Sequence, residues 1–296
     1  MYALSNPELT VLILDPVTDA SRLGSRYCTG GYIWQVLDAR QGELFAGPEY
    51  PKAPNTFDGQ GAPDMFRKPL GDEAASLGGK VACIGVGLVR RTSPREPFDV
   101  RYNPEVIEFV KWETSCAEHT IAMRTEHAFR HWAYHLERTV SLQGRTIRSR
   151  TAIRSLRTDP LPVRWFAHPF FPLPSDHTLC RFSFPVGLPD NPGYFLNAEG
   201  FVTRKPEHDW RRGCYQALDL SQADGVMSAT QRHPRLGQLT VATDFAPTFL
   251  PIWGNDRTSS FEPYYERTLS PGTEASWGIE YHLGGDGTNR ATSPCH

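Results

Sequence analysis

The chain has 296 residues, enough for one large core or two modest ones. Lys and Arg number 31 against 33 Asp and Glu, a formal net charge of −2, so no overall positive field favours nucleic acid or an acidic membrane surface. No uninterrupted apolar run reaches the roughly 18 residues that would span a bilayer, and the first ten residues lack the basic and apolar regions of a secretory signal. A soluble, cytoplasmic protein with reduced thiols is expected. Gly and Pro number 25 each and are spread along the chain, which argues for many turns rather than a disordered tail. None of the six cysteines, Cys28, Cys83, Cys116, Cys180, Cys214 and Cys295, stands in a C-x-x-C pair from which a thiolate zinc site could start.

In chain order, the first strand signal is Tyr32-Ile33-Trp34-Gln35-Val36-Leu37, closed by the turn Arg40-Gln41-Gly42-Glu43. Residues 47 to 80 hold Pro48, Pro51, Pro54, Gly59, Gly61, Pro63, Pro69 and Gly78-Gly79, and read as one long surface excursion of the kind that often carries function. Gly85-Val86-Gly87, followed by Leu88-Val89-Arg90-Arg91, has glycines but neither the third glycine of a dinucleotide loop nor the Lys-Ser/Thr of a phosphate loop. It reads as a closely packed strand, with Arg90 or Arg91 placed to reach a polar ligand. Residues 105 to 112 give another strand.

His127, His131 and His135 are spaced by four, with His119 and Glu126 nearby. On a helix they would line one face and could hold zinc. From Tyr134 onward, however, apolar residues alternate with polar ones, and same-face strand residues four apart lie roughly 13 Å from each other, too wide for one ion. No metal and no other cofactor is expected. Further turns at Gln143-Gly144, Thr158-Asp159-Pro160 and Ser270-Pro271-Gly272, with a strand at Leu239-Thr240-Val241-Ala242-Thr243, complete the pattern. Helix-length amphipathic stretches are nearly absent, so the fold class is all-β and largely antiparallel, a single domain over residues 1–296 with its core at about 20–283 and a frayed tail over 284–296.

Two segments place ionisable groups in constrained surroundings. In Trp165-Phe166-Ala167-His168-Pro169-Phe170-Phe171, Pro169 restricts its own backbone and that of His168. Such rigidity suits a general acid, and equally an aromatic core cluster with a satisfied histidine. In Phe261-Glu262-Pro263-Tyr264-Tyr265, the apolar neighbours of Glu262 can desolvate its carboxylate and raise its pKa toward that of a useful base. Trp253 offers the flat face on which a sugar ring can lie.

With these motifs the sequence resembles the aldose 1-epimerase, or galactose mutarotase-like, superfamily. Ser25-Arg26-Tyr27-Cys28-Thr29-Gly30-Gly31 is similar to its opening Arg-Phe/Tyr-x-x-Gly-Gly segment, and residues 134–142 with 146–156 to the paired strands before its histidine. Ala167-His168-Pro169-Phe170-Phe171 resembles its Asn-His-x-Tyr/Phe-Phe motif, with Ala in place of Asn. Phe261-Glu262-Pro263, Leu269-Ser270-Pro271-Gly272 and Trp277-Gly278-Ile279-Glu280-Tyr281 resemble its Leu-Glu-Pro and Leu-x-Pro-Gly segments. The resemblance implies a β-supersandwich and interconversion of the α and β anomers of a free aldose or aldose phosphate. It makes His168 the general acid and Glu262 the general base, without a cofactor. Arg90, Arg91, Trp253 and an Asp between acid and base would orient the sugar; Asp209 and Asp219 fall in that interval, with Asp219 the assignment. The expected partner is a small carbohydrate, not nucleic acid or membrane. A non-catalytic carbohydrate-binding protein of the same fold and a polysaccharide lyase-related domain stand as alternatives.

Overall fold

A computed structural model describes residues 1–284. The frayed tail expected over 284–296 therefore lies, but for Gly284, outside the described residues. The described chain is almost entirely antiparallel β structure, in five sheets. The largest has ten strands. Its centre is the run Gly237–Thr243, Glu274–His282, Thr146–Ser155, Trp132–Gln143 and Thr120–Phe129, and its edges are Glu113–Ala117 and Tyr194–Leu196. Alternation set this up: along Trp132–Gln143 the side chains of Tyr134, Leu136, Arg138, Val140 and Leu142 are buried and their neighbours are more exposed.

Two smaller sheets carry the chain toward the site. One is Tyr264–Leu269, Leu161–Ala167 and Asp64–Phe66; the other is Phe171–Pro172, Thr258–Phe261, Pro251–Gly254 and Cys214–Ala217. Trp277 on the large sheet stacks against Tyr265 with ring centres 4.3 Å apart and meets Trp165 edge-on at 5.6 Å, so aromatic rings fill the space between the layers. A second apolar cluster, including Phe166, Phe170 and Tyr264, lies between Lys80–Cys83, Gly87–Arg90 and the smaller sheets.

Several expectations change. The core does not begin at residue 20: Tyr2–Ser5 and Leu9–Ile13 pair antiparallel, and Leu4, Leu9, Val11 and Ile13 are buried. The excursion over 47–80 is not all surface. Its middle is a buried strand, Asp64–Phe66, whose lone Met and Phe gave too short an apolar pattern to read. The strand expected over 105–112 is Val106–Phe109. The glycines after Cys83 close a hairpin between Lys80–Cys83 and Gly87–Arg90; at Gly87, with φ 136°, a Cβ would sit 2.0 Å from the Glu108 carbonyl oxygen. His127 and His135 stand on the two arms of one hairpin, His127 opposite Tyr134 and His135 opposite Glu126, while His131 is in its turn. Being one position out of register, His127 and His135 point to opposite faces.

Arg138 faces inward, and only 1% of it is exposed. Its guanidinium pairs with buried Asp64, donates to Thr151 Oγ1, to Ser149 Oγ at 3.2 Å and to the Gly30 carbonyl at 3.3 Å. Removing one partner of a buried pair leaves a charge in the interior. Arg138→Met is therefore expected to destabilise the fold by about 3–5 kcal/mol in denaturant unfolding, with Asp64→Leu/Arg138→Met recovering much of the loss. Equal losses in the single and double variants would count against this account.

Candidate active site

His168 and Glu262 occupy matching corners. The strand Leu161–Ala167 belongs to the three-stranded sheet and Phe171–Pro172 to the four-stranded one, so the chain changes sheets at His168. On the neighbouring chain, Thr258–Phe261 and Tyr264–Leu269 make the reverse change at Glu262. Phe166 pairs with Tyr264 on one side of the corner and Phe171 with Ser259 on the other. These two pairings share one register, and it sets His168 opposite Glu262.

Each of the two residues precedes a proline, which has no N–H for the ladder and keeps the residue before it extended. The ladder opens there and other segments take up the backbone groups. The His168 N–H donates to the Pro63 carbonyl at 2.8 Å and the Glu262 N–H to the Pro251 carbonyl at 2.8 Å. The two side chains meet with His168 Nε2 3.3 Å from Glu262 Oε1. On the other side of the ring, His168 Nδ1 is 2.9 Å from Ser260 Oγ, from a residue two places before Glu262 and on the same strand face. The imidazole is hemmed in by Phe170, ring centres 4.4 Å apart, and meets Trp253 edge-on at 6.2 Å.

This pair opens into a cavity of about 830 Å³. Phe166, Trp253 and Tyr264 supply apolar walls, with Phe166 and Tyr264 stacked at 4.6 Å, and Arg26, Arg67 and Arg164 supply positive charge. Burial pushes the Glu262 carboxyl up to about 7, while the charges of Arg26 and Arg67 act in the opposite sense. Burial, and then the charge of Arg26, hold the His168 imidazole well below its ordinary value. Both shifts disfavour a lone charge in this place. Across a broad range below pH 7 the pair accordingly carries one exchangeable proton, on Glu262 in the uncharged form and movable to Nε2 across the 3.3 Å contact.

Of the residues expected from sequence, His168, Glu262 and Trp253 are brought together in the cavity. Arg90, Arg91 and Asp219 are not among the residues that line it. Arg90 donates to Glu105 at 2.7 Å on the surface. Arg91 is buried, pairs with Glu96 and donates to the carbonyls of Asp72 and Ala75, so its fork is filled by the loop it holds. Asp219 bridges to Gly187 through backbone and accepts from the Ser221 N–H, the geometry of a turn. Local sequence showed charge at these positions without showing its partners. Ser260, Arg26 and Arg67 were missed. A signal for Ser260 existed in Thr258-Ser259-Ser260, three small hydroxyl residues, all buried, leading into Phe261-Glu262.

No family model and no curated protein matches the sequence. Solved structures do match. A galactose mutarotase-related enzyme from Lactobacillus acidophilus is similar at TM-score 0.60 and 14% identity, covering 95% of this chain and 96% of that one. A Synechocystis protein reaches 0.57 at 14%, covering 95% and 94%. A galactose mutarotase-like protein from Lactobacillus casei reaches 0.54 at 13%, covering 95% and 99%. At this identity the likeness establishes the fold: the chain has the galactose mutarotase-like, antiparallel all-β architecture.

Ser260 tests the geometry apart from any reaction. Ser260→Ala leaves the buried Nδ1 without its hydroxyl partner, so a loss of about 1–3 kcal/mol in unfolding free energy is expected. A changed His168 ring-nitrogen signature in NMR should accompany it. An unaltered ring spectrum would mean that the hydroxyl does not engage the imidazole.

Proposed function

We propose that the protein is an aldose 1-epimerase-like isomerase that interconverts the α and β anomers of an aldose by opening and reclosing its ring. The observation that carries this is the buried contact between His168 Nε2 and Glu262 Oε1 at the wall of an 830 Å³ cavity. Opening a hemiacetal needs a proton removed from O1 and a proton delivered to the ring oxygen. Glu262 as carboxylate takes the first and His168 as imidazolium supplies the second. The carbonyl carbon then turns, the ring closes from the other face, and the two residues exchange roles. No cofactor enters this scheme. Trp253 provides the face against which a sugar ring lies, and the stacked pair of Phe166 and Tyr264 completes the apolar wall.

The reactive arrangement, carboxylate beside imidazolium, holds the same number of protons as the uncharged pair. One proton shift along the contact interconverts them. Moving it creates two opposite charges at once, which attract, so burial opposes this form less than it opposes either charge alone.

Glu262→Gln and His168→Asn are each expected to slow anomer exchange by roughly 10² to 10⁴, read by exchange NMR, with the double variant losing much less than the product. Binding, followed separately by titration, should survive. Wild-type protein that binds sugars yet leaves their spontaneous exchange unaltered would identify a carbohydrate-binding protein instead.

The pH dependence carries a sign. Because the pair must keep one proton, and that proton leaves as pH rises through about 7, activity should fall by roughly tenfold per pH unit above it. Activity should fall again only at acid pH, where His168 takes a second proton well below its ordinary value. A rate that rises through pH 7 would assign the acid to another group.

A further inference from the structure

Five cationic side chains border the cavity, and three of them are engaged. Lys68 donates to Asp72 and Glu73 at 3.0 Å each, Arg101 holds Asp99 through two bonds of 2.9 and 2.7 Å, and Arg164 lies 2.8 Å from Glu266. Arg26 and Arg67 differ. Neither guanidinium donates a hydrogen bond among the described residues. The nearest carboxylate to Arg26 is Asp58 at 4.0 Å. The nearest to Arg67 is Asp99 at 3.6 Å, and Asp99 is already occupied by Arg101.

Arg26 is nonetheless held in place. The Arg26 guanidinium lies over the rings of both Tyr27, at 4.9 Å, and Phe57, at 4.8 Å, which fixes its plane without using its N–H groups. Its side chain is 20% exposed and that of Arg67 is 40% exposed. Both line the same cavity as Glu262, and both act on its charge. A planar fork with unused donors matches the oxygens of a phosphate monoester or a carboxylate, and two such forks border this one cavity. The hydroxyls of a neutral sugar would add no charge to offset these cations beyond the distant carboxylates of Asp58 and Asp99 as the ligand displaces water.

We propose that the site takes anionic sugars, with a phosphate or carboxylate group held by Arg26 and Arg67 while the anomeric end faces His168 and Glu262. The proposal deepens the isomerase reading and rests on it for the orientation of the sugar.

Calorimetric titration with glucose, glucose 6-phosphate and glucuronate tests it, and the last two arms separate phosphate from carboxylate. At least one anionic sugar is expected to bind roughly tenfold to a hundredfold tighter than glucose, with the preference shrinking at raised salt. Arg26→Gln and Arg67→Gln should each reduce that ratio, and the double variant should abolish it. Wild-type protein that binds glucose as tightly as both anions overturns the proposal, as does a double variant that folds and keeps the preference. Should the double variant not fold, Arg67→Lys decides: it keeps the charge but loses the fork, and an undiminished ratio together with no salt effect overturns the proposal. Anomer exchange is followed in the same samples. Preferred binding of an anion without faster exchange would remove the isomerase reading and leave the anion site standing.

Discussion

The buried pair of Asp64 and Arg138 joins the ten-stranded sheet to the short strand that pairs with the one leading into His168. Arg138 projects from the middle of Trp132–Gln143, in the same row as Leu136 and Val140, where an apolar side chain would be the default. Burial alone raises the Asp64 carboxyl above its ordinary range and the Arg138 charge acts against this, so each ion makes the other tolerable there. Asp64 then sits across from Ala167 in the ladder, and the carbonyl of Pro63 receives the N–H of His168. The ionic contact thus ties the large sheet to the short segment, Pro63 and the strand after it, that holds the backbone at His168.

Electrostatics within the site follow from the same dry interior. A carboxyl and an imidazole on a wet surface would ionise independently, and their mutual contact would matter little. Enclosed by Phe170, Trp253 and the second apolar cluster, they are coupled, and the proton that one gives up has the other as its nearest acceptor. Ser260 can serve either state of the ring, because its hydroxyl accepts from Nδ1–H or donates to a bare Nδ1. Arg26 and Arg67 set a positive background that keeps the carboxylate within reach of neutral pH rather than far above it.

The fold class and the constrained surroundings of His168 and Glu262 were legible in the sequence because both are local, whereas the pairing of the two residues was implied only by the family resemblance. Alternation over ten or more residues, as in Thr146–Ser155, states which side faces inward. A histidine or glutamate locked between aromatics and a following proline states that its direction is fixed. Arg91 and Asp219 show the opposite case, because a charged residue just past a strand or in a turn reads alike whether its partner is a ligand or a nearby backbone group. Arg26 and Arg67 lie over 190 residues before Glu262 in the chain, and only the closure of the sheets makes them neighbours of one cavity. The Leu9–Ile13 strand escaped notice because five residues, followed after Leu14 by Asp15-Pro16, give too little periodicity to separate a core strand from a stray apolar patch.

The shared register of the two corners makes the spacing of the chain itself decide whether His168 and Glu262 meet. From Phe166 to Phe171 and from Ser259 to Tyr264 the two segments advance by the same number of positions, so they work as matched rulers laid side by side. Deleting one residue just before His168 or Glu262 would bring the following proline to the point where the two now meet, and inserting one there would bring Ala167 or Phe261 to it, with the later side chains turned to the opposite face. Turns such as those at Gly144 and Gly225, where a Cβ would meet nothing within 4 Å, can lengthen during divergence without consequence for the chemistry. The corners cannot, because the contact between His168 and Glu262 depends on the equal length of these two crossings.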